Sequence, residues 1–197
     1  IFLWYTTSLR DITAINVNRD NPKISQQFIA ESQENASRVR YAELGLDKPF
    51  HDLEGFMLEC NDKDQYPYIH WSFGNKELFK ASWPEEMLKG AFDTELLNWS
   101  NAIRLFGKPV FLSPFPEELS AKYQDQQEAI WLYINDFFNQ EGINNLMLVY
   151  RSAKPHLLRK GIKKSGIIDF IEINHHKLQG FANPMDSLNL LLAQAPF

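Results

Sequence analysis

Lys108-Pro109-Val110-Phe111-Leu112-Ser113-Pro114-Phe115-Pro116-Glu117-Glu118 is the stretch on which the fold turns. Val110 to Leu112 is a short apolar run with Pro109 before it and a proline-broken acidic turn after it. That pattern belongs to a fully buried strand ending in a loop. Upstream, Asp93 to Phe106 has helical spacing. Leu96, Leu97, Ile103 and Phe106 make one apolar face, Trp99 lies on its flank, and Gly107 stops the helix. A helix, a glycine, a buried strand and then carboxylates form one turn of an α/β barrel, whose chemistry sits at the C-terminal ends of its strands. The carboxylates at that end are Glu117 and Glu118. Two adjacent glutamates are more often a solvated loop, so the surrounding residues must decide.

Gly90-Ala91-Phe92-Asp93, Trp99-Ser100-Asn101-Ala102-Ile103 and Gly107-Lys108-Pro109-Val110-Phe111-Leu112 follow one another in a telling order. The series resembles the run into strand four of the β-mannanase-like glycoside hydrolases of family 26. The pattern there is G-x-F/Y-D, W-A-x-A-I, then G-x-P-V-F-L-R and a His-Glu pair. On that pattern Glu117 takes the place of the catalytic acid/base. The departures surround it: Ser113 stands at the arginine position, Pro116 at the histidine, and Leu119 at the asparagine two residues past the glutamate. The resemblance covers about residues 50 to 177.

Composition sets the bounds. The chain has 197 residues, 44 % hydrophobic and 14 % aromatic, enough for one domain with a sizeable core. A formal net charge of -5 argues against a nucleic-acid partner, which needs clustered Lys and Arg. The basic pairs Arg159-Lys160 and Lys163-Lys164 are too short for such a patch. The single cysteine, Cys60, lies in an apolar run and reads as a small core residue. No stretch approaches the roughly 20 apolar residues of a membrane span.

Taken in order, residues 2 to 7 read as a first strand. Ser8 to Lys23 is polar and reads as a loop. Ile24 to Leu44 has helical character through Phe28, Ile29, Ala36, Val39 and Ala42, with Gly45 as its cap. Leu53 to Cys60 reads as a second strand. The acidic loop after it, residues 61–65, lacks the glycine and closing glutamate of a calcium loop, so no metal is expected there.

Tyr66 to Phe73 reads as a third strand, and its P-x-I-x-W form extends the resemblance upstream. Trp71 and Phe73 alternate onto one face, either as a sugar-stacking platform or as core. Val110 to Leu112 is the fourth strand, and Tyr123 lies in the loop that follows. Asp125 to Gln140 is the clearest helix, its buried stripe made by Ala129, Ile130, Tyr133, Ile134, Phe137 and Phe138 before Gly142. Ile143 to Tyr150 reads as a fifth strand like that of the family. The resemblance makes Tyr150 a residue lining the sugar cleft.

Ile167 to His176 reads as a sixth strand similar to the family's V-D-W-I-G-I-D-x-Y element. Asn174 takes the place of the aspartate and His176 that of the aromatic. Adjacent His175 and His176 project apart on a strand, which disfavours a two-histidine metal site. Asp186 to Ala193 reads as a short leucine-rich helix capped by Asp186.

The fold expected is therefore α/β, an incomplete (β/α)8 TIM-barrel-like domain of about six β/α units, set in a single domain over residues 1–197. The 9 glycines are few for eight strands with their loops, which suggests a portion of a longer chain or a barrel with missing pieces. An incomplete barrel exposes two edges, so a neighbouring segment or a protein partner is expected to cover them.

Retaining glycosidases place two carboxyl groups about 5 Å apart across the sugar. The resemblance puts the nucleophile on a seventh strand, and no glutamate-bearing apolar run follows Asn174. Glu59 and Glu172 are weak substitutes. Two functions from different classes follow. The first is a catalytically silent or weakly active barrel that binds glycan, or that serves as a structural module in a larger assembly. The second is a divergent retaining endo-β-mannanase-type hydrolase with Glu117 as acid/base and a nucleophile outside these residues. The residues assigned to sugar are Trp71, Phe73, Glu118, Tyr123, Tyr150, Asn174 and His176. Neither reading calls for a cofactor, and both imply an extracellular or cell-surface setting.

Overall fold

Strand β3, Val39–Gly45, opens a run of five parallel strands that lie side by side in the order in which the chain makes them. The others are β4 (Tyr66–Ser72), β5 (Val110–Ser113), β6 (Leu146–Arg151) and β7 (Phe170–Asn174). A computed structural model describes residues 3–5, 12–16, 38–46, 50–72, 83–114, 124–151, 167 and 169–174. The N-terminal hairpin of β1 (Leu3–Tyr5) and β2 (Ile12–Asn16) joins antiparallel to β7, with Ile12 opposite Asn174. The sheet order is thus β1-β2-β7-β6-β5-β4-β3.

Helices fill the described crossovers, from β3 to β6. Helix α1 (Phe50–Asp62) links β3 to β4. Helices α2 (Trp83–Leu88) and α3 (Asp93–Phe106) link β4 to β5, and α4 (Gln124–Gln140) links β5 to β6. All four pack on the same face of the sheet. Their apolar residues Leu53, Met57, Trp83, Leu96, Trp99, Ile130 and Ile134 share one core with Ile69, Trp71, Val110, Leu112, Leu148 and Tyr150 from the strands. The opposite face carries a second cluster made from strands alone: Val39, Tyr68, Phe111, Met147 and Val149, with Tyr41 and Tyr66 against it. Strand alternation sorts neighbours between the two faces, so Ile69 and Trp71 go one way and Tyr68 the other. Crossovers of one hand that each advance by one strand put every helix on one side. The fold is α/β and wound in a single direction.

Local sequence explains the elements. Burying each large side chain of this core stabilises the fold by roughly 1.5–3 kcal/mol, and four of the largest, Trp71, Trp83, Trp99 and Trp131, are almost completely enclosed. Helix α3 ends where expected: Gly107 adopts φ 71°, ψ -8° and its N–H returns to the Ile103 carbonyl. Only glycine enters that left-handed region without steric cost. Asn145 then fixes the next turn by donating to the Ile103 and Lys108 carbonyls at 2.9 and 2.8 Å.

Three expectations are corrected. Residues 53–60 belong to helix α1, not to a strand, because Leu53, Met57 and Cys60 recur at helical spacing and all three are buried. Val39–Gly45 is strand β3, not the end of a helix, and Ile12–Asn16 is a strand inside the segment read as loop. The strands at 66–72, 110–113, 146–151 and 170–174 and the helices over 93–106 and 124–140 agree with the reading, within a few residues at their ends. The leucine-rich helix expected at 186–193 lies outside the described residues.

The acidic loop after α1 serves structure. Asp64 pairs with Arg38 and, at 3.3 Å, with Lys108, tying the starts of β3 and β5 to the α1–β4 turn. Cys60 is fully buried, and burial raises its thiol pKa to about 11; Arg40 and Lys63 oppose that shift and Glu59 adds to it. The thiol is held in its unreactive protonated form.

Candidate functional site

The C-terminal ends of parallel strands are where side chains from several strands converge without a helix in the way. Register aligns Glu43 of β3 with His70 of β4, and His70 with Ser113 of β5. Adjacent strands are about 4.8 Å apart, so the three residues form one row across the sheet. By alternation the row belongs to the face on which no described helix packs, with Tyr41, Tyr68 and Phe111 one layer below.

Each member of the row has a distinct environment. Glu43, on the outermost strand, is exposed. His70 is 3 % exposed and sits between two tyrosine rings, edge-on to Tyr41 at 4.6 Å and to Tyr68 at 4.7 Å. The Tyr41 hydroxyl lies 3.1 Å from His70 Nδ1. Ser113 is 1 % exposed, and its Oγ has no hydrogen-bond partner. The row thus combines a fixed imidazole with an unused buried hydroxyl.

A second polar feature anchors the far side of the sheet. Asp169, 2 % exposed, accepts a hydrogen bond from the Leu148 N–H at Oδ2 (2.8 Å), while its own N–H donates to the Leu148 carbonyl. The carboxylate thereby fixes where β7 starts against β6. Among the described residues, no three His, Cys, Asp or Glu side chains gather as a metal site.

Several residues singled out from the sequence prove to be elsewhere. Trp71 is 1 % exposed and its ring meets Trp99 of α3, while Tyr150 is 4 % exposed and lies against Trp131 of α4. Both belong to the helix-side core. The reason is the period of two: residues 70 and 71 necessarily face opposite ways. Glu117, Glu118, Phe73, Tyr123 and His176 lie outside the described residues. Asn174 ends β7 opposite Ile12. Of the weak carboxylate candidates, Glu59 pairs with Arg40 at 2.6 Å on the helix side, and Glu172 stands beside Arg151 in the β6–β7 ladder.

Sequence reasoning passed over Tyr41 and His70 and treated Ser113 only as a departure from a motif. The signal was available in strand alternation. Once Ile69 and Trp71 are taken as core, His70 must point to the other face.

No protein-family model matches the chain, and no curated protein matches it. Among solved structures, it has a weak structural likeness to a family 26 β-mannanase from Bacteroides ovatus. The TM-score is 0.42 and the identity 16 %, over 58 % of this chain and 44 % of that one. The matched part therefore spans less than half of that enzyme.

Proposed function

We propose that this chain is a glycoside-hydrolase-like barrel that binds glycan, or serves as a structural module in a larger assembly, with its hydrolytic activity silent or weak. The observation that carries the reading is Ser113. It ends β5 as a buried hydroxyl, at the place where the resembled motif has an arginine beside its acid/base glutamate. An acid/base carboxyl depends on neighbouring charges and hydrogen bonds to set its protonation. Serine supplies no charge. The strand order supports the barrel: five parallel strands in sequence order with helices on one face are the repeating unit of a (β/α)8 fold. The edge of β3, paired only with β4 among the described residues, is where a further segment or a partner would continue the sheet.

Two measurements test this. Electrophoresis through gels containing β-mannan is expected to retard the protein, and reducing-sugar release from the same polymer is expected to stay at background. Release that is readily measured, and that falls by orders of magnitude in Glu117→Gln, would instead establish the retaining hydrolase with Glu117 as acid/base. Neither retardation nor release would remove the glycan and leave a structural module.

A further inference from the structure

We infer that the groove between helices α1 and α3 docks a basic amphipathic helix of a partner protein. This goes beyond glycan binding and does not depend on it. The two helices lie side by side on the sheet, and the groove between them holds about 450 Å³ of empty space. Buried Met57 and Ala102 make its floor, Leu58 and Leu105 line it from opposite helices, and Glu54 and Asn61 supply its polar groups. A single exposed leucine is ordinary on a protein surface. Here Leu58 is 56 % exposed and Leu105 73 %, and both border one hollow. Apolar side chains grouped around a concavity mark an interaction surface, and two neighbouring helices shape it for the ridge of a third.

Charge decides the occupant. Helix α1 carries Asp52, Glu54, Glu59 and Asp62 and has no lysine or arginine. Glu59 is taken by Arg40. Glu54, which lines the groove, enters no ion pair or side-chain hydrogen bond among the described residues. Arg104 of α3 does not serve it, being drawn off to Glu141 and Asn101. A second copy docked about a twofold axis would bring this acidic patch against itself. A helix with leucines at i, i+3, i+4 and i+7 and lysine or arginine beside them fills the hollow and pairs its carboxylate.

The test titrates the full chain into a fluorescein-labelled synthetic helix of that pattern, about 18 residues long and flanked by lysines, and follows anisotropy. Binding is expected, and it is expected to weaken as salt rises. Leu105→Gln is expected to weaken it about tenfold. Glu54→Gln is expected to weaken it about two- to fivefold and to flatten the salt dependence. Neither change touches the core, so the Tm of both variants is expected to stay within about 2 °C of wild type. No binding by the wild type, or binding that Leu105→Gln leaves unchanged, would overturn the proposal. Equal affinity for the same helix flanked by glutamates would also overturn it. A concentration-dependent dimer in sedimentation that Leu105→Gln abolishes would overturn it in favour of a second copy.

Discussion

The ring of Trp99 meets that of Trp71 edge to face, with centroids 5.4 Å apart and planes inclined at 75°. The Trp99 indole N–H also reaches the Leu46 carbonyl at 3.3 Å. Helix α3 is thereby fastened to the ends of β3 and β4. Aromatic pairs of this geometry contribute about 0.5–1.5 kcal/mol beyond the area they bury.

Trp71→Ala is therefore expected to lower stability by about 3–5 kcal/mol, the usual cost of removing a large buried ring. Trp71→Phe, which keeps an aromatic edge, is expected to cost less. Urea unfolding measures both. A Trp71→Ala protein with unchanged stability but weaker glycan binding would return the residue to a sugar cleft.

Asn145 bridges the Ile103 and Lys108 carbonyls, so its loss removes one donor from each, and the Ile103 carbonyl keeps only the longer bond from the Gly107 N–H. Asn145→Ala is expected to destabilise by about 1–3 kcal/mol. Asn145→Asp is expected to be at least as costly, because a carboxylate presents oxygen to oxygen. Thermal melts of the two variants in one buffer give the comparison.

Tyr133 of α4 donates its hydroxyl to Asp93 at the start of α3. Burial of the phenol, followed by this hydrogen bond and the Asp93 charge, raises its pKa from 10.0 to about 12. The folded state therefore holds this proton more tightly than the unfolded chain. The stabilisation is complete below pH 10 and is lost as pH climbs toward 12. Tyr133→Phe is expected to flatten the fall of Tm across that window. An identical alkaline slope in both proteins would show that other groups control it.

Gly107 is expected to resist replacement for backbone reasons alone. A Cβ built there meets nothing within 4 Å, yet φ is positive. Gly107→Ala is expected to cost about 1–2 kcal/mol, and Gly107→Asn less, since asparagine tolerates that conformation. Equal melting temperatures for Ala and Asn would argue that the left-handed turn is not what limits stability.

The parallel core was legible because its strands are short apolar runs between clear punctuation. Val110 to Leu112 sits between Pro109 and Pro114, and Leu146 to Tyr150 follows Gly142 by a few residues. Helix α1 was misread because Phe56-Met57-Leu58 looks like a strand when taken alone. The longer interval from Leu53 through Met57 to Cys60 carries the helical period. Strand β3 was hidden for the opposite reason. As an outer strand it keeps Arg40, Tyr41 and Glu43 partly or fully exposed, so it lacks a continuous apolar run. At the candidate site, composition drew attention to the large aromatics, which build the core. The polar residue one position earlier, His70, faces the other side of the sheet and is itself buried.

The pairing of Ile12 with Asn174 has a kinetic meaning. From β4 to β7 each strand meets the one made just before it, so the parallel layer can grow by accretion. The clasp between β2 and β7 instead joins residues 12–16 to residues 170–174, and the entropy of closing so long a loop makes it a late step. A cut in any connection between them leaves two pieces held by their docked surfaces alone, which makes split-fragment complementation a natural assay for this architecture.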